Sequence, residues 1–379
     1  MASIHIAGEK IVFRLTPARV LLIVLSLGAM AAYAYRFAVG LGYATNLRDD
    51  FPWGIWIGFD IMTGVALAAG GFVMAFSVEV FGRHRFRRFV RPAIVTAFLG
   101  YLLAVFGLIG DLGLPWRIVH PVWMWNPRSV MFEVAWCVIL YTTVLFLEFS
   151  AIPLERFKMT GLLKLVRKIM PVLIVLGIIL STLHQSSLGS LFLLIEHRLH
   201  PLWFSQFIPV HFLLTAITVG FAMVIFESIL SCRLFGHELD NKLTGDLANP
   251  LPWLLFIVFA SRMIDISANG AMSTIGEGSL QSYAFLAEMG VGVLLPGILM
   301  LSSGVRYNPS KLLGAVSLVI FGVVLNRINV CIIGMFSPGS WYFPMWIELV
   351  ITAGLVGAGV LAISFIYENM PVLSEEKRP

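Results

Sequence analysis

Charged side chains are scarce in this chain of 379 residues. Lys, Arg, Asp and Glu make up 12% of it, whereas hydrophobic residues make up 59%. Soluble domains carry about 25% charged residues, so this composition excludes an ordinary soluble domain and indicates a protein that crosses a membrane several times. The net charge of +5 does not indicate a nucleic-acid partner, because the basic residues cluster in short loops, where they set membrane topology.

Cysteines are equally few. Cys137, Cys232 and Cys331 are far apart and form no CxxC or ferredoxin-like spacing. We therefore expect no iron–sulfur cluster ligated by this chain, and we predict no metal site. The first ten residues lack a short apolar core followed by a small-residue cleavage site, so we also expect no cleaved signal peptide.

Runs of about 20 apolar residues predict ten membrane-spanning helices. The predicted spans are residues 18–41, 53–81, 90–114, 129–152, 170–192, 202–232, 251–268, 281–303, 312–336 and 341–367. Pro209 and Pro296 lie inside two of these spans and are expected to kink them. The predicted fold class is an all-α polytopic membrane protein, with about ten transmembrane helices in one bundle and residues 1–379 in a single integral membrane domain.

The loops predict the orientation of this bundle. Basic residues concentrate in the loops after spans 2, 4, 6 and 8 and at both ends of the chain, for example Arg85, Lys164 and Lys168. The alternate loops carry few basic residues. Because cytoplasmic loops are enriched in Lys and Arg, we expect both termini, including a short C-terminal tail, to lie in the cytoplasm.

Ionisable side chains inside these apolar spans are the most informative feature of the sequence. A charge at the bilayer centre costs at least ~2.5–3.5 kcal/mol, so such residues usually face the bundle interior or a wet cavity. At a rise of ~1.5 Å per residue, the predicted orientation divides them into two groups. The outer group is Asp60, Asp111, Glu133, His184, His211 and Glu348, and the inner group is Glu79, Glu148 and Glu227. This division is typical of a redox site on one face that draws protons from the other.

The residues alone leave several functions open. His184 and His211 lie at similar depth in neighbouring spans, so one bis-histidine haem b is geometrically possible. A proton-coupled transporter would also carry carboxylates in its helices, and a structural membrane anchor is a third possibility. Arg262 and Asp265, three residues apart on one helix, are predicted to form a structural ion pair.

Four stretches of the sequence carry a family resemblance. They are residues 50–60 (DFPWGIWIGFD), 129–133 (SVMFE), 182–191 (TLHQSSLGSL) and 200–203 (HPLW). With these motifs the chain resembles the NrfD/PsrC-type membrane quinone-oxidoreductase family. Within that family it is similar to the HybB-like membrane subunit of hydrogenase-2-type nickel–iron uptake hydrogenases. The HQSSxGSL run that begins at His184 is the most specific motif.

The resemblance implies a haem-free subunit of the bacterial inner membrane that is not catalytic alone. It would dock a ferredoxin-like iron–sulfur subunit on its periplasmic face, in a complex with the small and large subunits of a hydrogenase. It would pass two electrons to menaquinone or ubiquinone from the surrounding lipid, coupled to transmembrane proton transfer in anaerobic respiration. Within the same family, the partner is alternatively a polysulfide or sulfite reductase module or a multihaem cytochrome complex.

Charge balance then assigns candidate roles to individual residues. Reducing a quinone takes two protons, and an uncompensated anion is costly in a low-dielectric interior, so a protonatable group must lie within hydrogen-bond reach of a quinone carbonyl. The predicted catalytic residues are His184, Asp60 and Glu133, with Asp60 either orienting the imidazole or accepting from the quinone. The predicted quinone pocket comprises Trp53, Tyr101, His184 and Gln185, and the predicted proton pathway comprises Glu133, Glu148 and Glu227.

Overall fold

The computed structural model describes residues 2–6, 9–51, 53–236 and 238–372. Pro52 of the 50–60 motif and the predicted C-terminal tail with Lys377 and Arg378 lie outside the described residues. Within the described ranges, nine helices are long and apolar enough to cross a membrane. The prediction of an all-α polytopic membrane protein is therefore confirmed, and the assignment of residues 1–379 to a single domain stays a prediction.

Ten long helices form the bundle. They are α1 (Pro17–Val39), α2 (Trp56–Val80), α3 (Val90–Asp111), α4 (Val130–Arg156), α5 (Thr160–Ser190), α6 (Ile208–Phe235), α7 (Leu251–Ala268), α8 (Leu280–Leu299), α9 (Pro309–Cys331) and α10 (Trp346–Asn369). Short helical segments lie between them at Leu41–Ala44, His84–Phe89, Pro115–Val122, Leu191–Ile195, Asn241–Leu247, Met272–Gly276, Ser303–Arg306 and Ile333–Met335.

Helix α5 corresponds to the fifth predicted span but is not among the nine apolar helices. It begins at Thr160, ten residues earlier than predicted, so Lys164 and Lys168 lie in its first turns rather than in a loop. Its 31 residues make a helix about 46 Å long at ~1.5 Å per residue. It packs along α4 and α6, and therefore belongs to the same bundle.

The regular α-helical winding is interrupted in α2 and α8. Both contain π-helical segments, at Trp56–Thr63 and Phe76–Val80 in α2 and at Glu288–Leu294 in α8. Such segments occur frequently at functional sites, and Asp60 and Glu288 lie within two of them. The irregularity in α8 immediately precedes Pro296. The kink predicted at Pro209 is wrong, because this proline occupies the first turn of α6, where a missing N–H breaks no helical hydrogen bond.

An antiparallel β-hairpin precedes α1, and the sequence analysis did not predict it. Strand β1 (Ala2–Ile6) pairs with β2 (Glu9–Phe13), with Ala2 opposite Phe13. Apolar and polar residues alternate along β1, as expected for a strand. This pattern covers only a few residues and is easily missed beside the long apolar runs.

The basic loops meet at one end of the bundle, which we name the basic end. Arg85, after α2, forms an ion pair of 2.8 Å with Asp246, between α6 and α7. The hydroxyl of Tyr307, after α8, also donates to Asp246 at 2.8 Å. Arg19 in α1 pairs with Glu368 in α10 at 2.8 Å. The loops whose charges predicted a common side therefore do lie together, whereas the side of the membrane that they face stays a prediction.

Glycines allow the closest approaches between helices. A Cβ atom added to Gly70 of α2 would lie 2.9 Å from Val224 Cγ2 of α6. Helices α8 and α9 cross with their backbones in contact, since a Cβ atom on Gly322 would lie 2.5 Å from the Cα atom of Gly292. Only glycine fits such a contact without moving a backbone, as in other membrane helix pairs with small residues at their interface.

Replacing Gly322 with alanine should therefore destabilise the bundle. Overpacking of this kind costs about 1–3 kcal/mol of unfolding free energy, which denaturant titration in detergent would measure. Gly314→Ala is the matched control, since it lies on the same helix with no atom within 4 Å of its added Cβ. Equal stability of the two variants would contradict the close α8–α9 contact.

Candidate functional site

His184 lies on α5 with its side chain fully buried. Its Nδ1 atom is 2.8 Å from the hydroxyl of Tyr101 on α3, which is also buried. Its Nε2 atom has no hydrogen-bond partner among the described residues. Buried polar atoms are nearly always paired in folded proteins. The imidazole is thus held through one nitrogen, while the other is buried without a partner.

The next residue, Gln185, shows the same asymmetry. Its Nε2 amide donates to the carbonyl oxygen of Val65 on α2 at 2.9 Å. Its Oε1 atom is buried and makes no hydrogen bond within the described ranges. A ring nitrogen and an amide oxygen, on adjacent residues and both unpartnered, suit a ligand that carries polar atoms in an otherwise apolar interior.

Glu133 lies in the first turn of α4 and reaches towards the same part of α5. The Ser187 hydroxyl, one helical turn after His184, donates to Glu133 Oε1 at 2.5 Å. The side chain of Glu133 is exposed on the bundle surface, whereas His184 is enclosed. Glu133 is therefore positioned between the bundle exterior and the turn that carries the histidine.

A second line of polar residues leads from Tyr101 towards the basic end. The rings of Tyr101 and Tyr141 are in edge-to-face contact with centroids 4.7 Å apart, and the buried Ser181 lies beside both phenols. Two turns along α4 from Tyr141, the buried Glu148 lies against Gly177 of α5, where a Cβ atom would be 3.6 Å from its Oε1. The side chains form a column along the interface of α3, α4 and α5. Sequence reasoning selected Glu148 but missed Tyr141 and Ser181.

Asp60 and Trp53 lie near this group but make different contacts. Asp60 faces α10, where the Thr352 hydroxyl donates to its Oδ2 at 2.7 Å. Tyr101 therefore orients the His184 imidazole, and the expectation that Asp60 does so is wrong. Trp53 packs edge-on against Phe192 with ring centroids 5.4 Å apart.

Glu227 is separate from Glu148. It lies near the basic end of α6, and the hydroxyl of Tyr367 on α10 donates to its Oε1 at 2.7 Å. Glu148 instead faces α5. The two carboxylates predicted as one inner segment of a proton pathway thus lie at different helix interfaces.

A buried polar network joins α6, α7, α8 and α9, and we name it the second network. Its centre is Glu288, fully buried, which accepts hydrogen bonds from Trp203 Nε1 at 2.9 Å and from the amides of Asn326 and Asn329 at 2.7 Å. The sequence offered a partial signal for it in the spacing of Arg262 and Asp265. Their predicted ion pair is confirmed at 3.4 Å.

The second network also contains His211. Its Nε2 lies 3.1 Å from Asp265 Oδ2 on α7, whereas the free Nε2 of His184 lies on α5. A bis-histidine haem needs both imidazoles to face one iron. The two imidazoles are bonded from different helices, His184 through Tyr101 of α3 and His211 through Asp265 of α7. Of the two Nε2 atoms, that of His184 lacks a hydrogen-bond partner among the described residues, whereas that of His211 is bonded to Asp265.

The end of the bundle opposite the basic end is tied together by Glu348 at the start of α10. Glu348 Oε1 accepts from the backbone N–H of Asn46 at 3.0 Å, and its other oxygen accepts from the Tyr342 hydroxyl. Burial and the neighbouring Glu348 carboxylate raise the pKa of Tyr342. The predicted outer acid Glu348 therefore holds loops in place at this end, which is where α5 presents His184.

Comparison with known proteins identifies the family of this chain. It is 38% identical to a protein of Nitratidesulfovibrio vulgaris whose name states no function, over 95% of each chain. It is 33% identical to the probable Ni/Fe-hydrogenase 2 b-type cytochrome subunit of Escherichia coli, over 90% of this chain and 89% of the relative. It is 27% identical to the integral membrane subunit of a menaquinone reductase of N. vulgaris, over 92% and 89%. The sequence profile described as "Polysulphide reductase, NrfD" matches residues 44–339, and the chain therefore belongs to the NrfD family of membrane proteins.

Proposed function

We propose that this chain is the quinone-reactive membrane subunit of a multi-subunit oxidoreductase, and that the quinone head group binds at His184. The observation that carries the proposal is the buried imidazole, oriented by Tyr101 and left with an unpartnered Nε2. The menaquinone reductase subunit named among the relatives supports menaquinone as a substrate. Ubiquinone is the other quinone expected from the sequence.

His184 supplies the proton chemistry in this proposal. When the Tyr101 hydroxyl donates to Nδ1, the neutral imidazole carries its own proton on Nε2, where it can donate to a quinone carbonyl. As two electrons arrive from the partner, this proton moves to one carbonyl oxygen while Tyr101 passes its hydroxyl proton to Nδ1, and a proton route then restores the Tyr101 hydroxyl. Asp60 gives the second proton to the other carbonyl oxygen and is reprotonated in the same way, so no negative charge stays buried. Gln185 Oε1 accepts from the second hydroxyl of the quinol, and Trp53 forms an aromatic wall. Asp60, which accepts a hydrogen bond from Thr352, is the second catalytic acid beside His184 in this proposal.

Two proton routes reach His184. Glu133 delivers protons through Ser187 from the exposed face of α4. Glu148 delivers them from the opposite direction through Tyr141 and Ser181. Glu227, paired with Tyr367, belongs to the cytoplasmic part of the pathway and needs intervening water to reach the column. Uptake on the Glu148 side would make turnover electrogenic.

The partners follow from the relatives and from the charge distribution. With the basic end in the cytoplasm of a bacterial inner membrane, His184 lies in the periplasmic half of the bundle. A ferredoxin-like iron–sulfur subunit would dock there and bring electrons from the small and large subunits of a nickel–iron hydrogenase, as the name of the E. coli relative suggests. The menaquinone reductase relative supports a different redox module as the alternative partner.

The subunit is haem-free in this proposal, because the Nε2 atom with which His211 would bind an iron is already bonded to Asp265. The test is a spectrum and a quinone assay on the complex purified with its native partners. We expect no haem b bands that follow this subunit after dithionite reduction, together with extractable quinone and hydrogen-dependent quinone reduction. Haem b bands in proportion to this subunit would contradict the haem-free site. If the complex reduced quinone only with an electron donor other than hydrogen, the partner would be a different redox module and not a hydrogenase.

Replacing His184 with alanine should abolish quinone reduction, because the substrate then loses its proton donor. Hydrogen oxidation with an artificial dye, which takes electrons from the partner, should remain. Tyr101→Phe, which keeps the ring but removes the hydroxyl, should lower kcat about 10²–10⁴-fold, the range of one general acid–base contribution. If either variant lost the dye-linked activity in parallel, it would be misassembled. Its loss of quinone reduction would then no longer support this role.

Replacing Tyr141 with phenylalanine tests the inner route. The ring contact with Tyr101 survives, but the hydroxyl between Ser181 and Glu148 is lost, so charge movement in proteoliposomes should fall more than tenfold. Glu133→Gln, in the same assay, interrupts the route through Ser187. Comparing the two variants therefore separates the contributions of the two proton routes. Tyr33→Phe is the control, since its hydroxyl bonds only the carbonyl of Phe106. Unchanged charge movement in Tyr141→Phe would exclude the column as the proton route.

A further inference from the structure

A large groove opens on the lipid-facing side of the bundle, between α2, α5, α6 and α7. Its volume is about 880 Å³, within the range of about 300–1,000 Å³ that small-molecule sites occupy. It runs from the basic end into the opposite half of the bundle, as far as Thr182 on α5 and Leu213 on α6. No residue assigned to the quinone site or to the proton routes lines it.

The deep part of the groove offers a ligand only apolar contacts. Its walls are formed by residues such as Phe72, Ile217 and Phe221. Two hydroxyls lie there, and both are already bound, Thr182 to the Ile178 carbonyl at 2.8 Å and Ser77 to the Val73 carbonyl at 2.7 Å. An occupant of this part therefore gains from apolar contact and needs no polar atom.

The mouth of the groove is polar. It is lined by Arg83, Arg85, Asp246 and Asn249 at the basic end. Arg85 and Asp246 neutralise each other at 2.8 Å. Within the described ranges, the guanidinium of Arg83 and the side-chain amide of Asn249 have no hydrogen-bond or ion-pair partner. The mouth therefore keeps one uncompensated positive charge next to a free amide donor.

We propose that this groove is a binding site for one anionic phospholipid from the leaflet at the basic end. The acyl chains would lie along the aromatic wall, and the phosphate would bind Arg83 and the Asn249 amide. Charge complementarity favours this occupant, because basic pockets between transmembrane helices bind anionic head groups. A transmembrane helix of a partner would leave Arg83 without an anion, and a quinone has no charged head group for it.

Native mass spectrometry of the full chain in detergent tests the site. With added phosphatidylglycerol or phosphatidylethanolamine of equal chain length, we expect one tightly retained lipid and a preference for phosphatidylglycerol. Arg83→Gln should reduce that preference about fivefold, the effect of one cation near an anionic head group. Ile217→Trp should reduce retention of both lipids, because it fills the apolar wall.

Lys311→Gln is the matched control. Lys311 is an exposed basic residue at the start of α9, outside the groove lining, and its replacement removes the same charge. Its lipid preference should equal that of the unaltered chain. Equal losses in Lys311→Gln and Arg83→Gln would show a general surface-charge effect and overturn the site. Equal retention of the two lipids by the unaltered chain, or a partner helix in the groove of the purified complex, would also overturn it.

Discussion

The hydrogen bond between the Tyr101 hydroxyl and His184 Nδ1 is the contact on which the candidate site depends. Without it the buried imidazole would have no hydrogen bond to orient it among the described residues. Because the bond uses one nitrogen, the other is left available in a dehydrated interior, where a hydrogen bond to a ligand is strong. The Tyr141 ring, packed edge-on against Tyr101, extends this arrangement towards Glu148.

The second network is centred on a carboxylate, whereas the His184 site is centred on an imidazole. Both oxygens of Glu288 accept hydrogen bonds, from one indole and two amides. It also draws the segment that carries Trp203 towards α8 and α9, and Arg262 reinforces this by donating to the Leu202 carbonyl at 2.6 Å. A fully bonded carboxylate of this kind stabilises one arrangement of helices. Among the described residues, Arg262 Nε and Asn329 Oδ1 of the same network lack a hydrogen-bond partner, as do His184 Nε2 and Gln185 Oε1. The His184 site differs in that its two unpartnered atoms lie on adjacent residues.

The sequence predicted the helices well and the contacts between them poorly. Long apolar runs fix the existence of spans because a bilayer requires about 20 apolar residues, and charge bias correctly grouped the basic loops. The sequence placed His184 and Tyr101 in one predicted pocket but did not predict the hydrogen bond between them. Two residues that are 83 positions apart give no periodic signal. For Asp60 the sequence left two roles open, orienting the imidazole or accepting from the quinone, and its contact with Thr352 on α10 could not be read from one helix. The sequence did not predict the second network. An asparagine or a tryptophan in an apolar run does not show which residue it will contact, because that depends on how four helices pack.

The most direct measurement is a cryo-EM structure of the intact complex, prepared with saturating quinone. The account predicts that the head group lies among α2, α3 and α5, with one carbonyl oxygen within hydrogen-bond distance, ~2.6–3.2 Å, of His184 Nε2. It also predicts that Tyr101 remains bound to Nδ1. A head group out of hydrogen-bond reach of His184 Nε2, for example beside His211 in the second network, would contradict the central role given to His184.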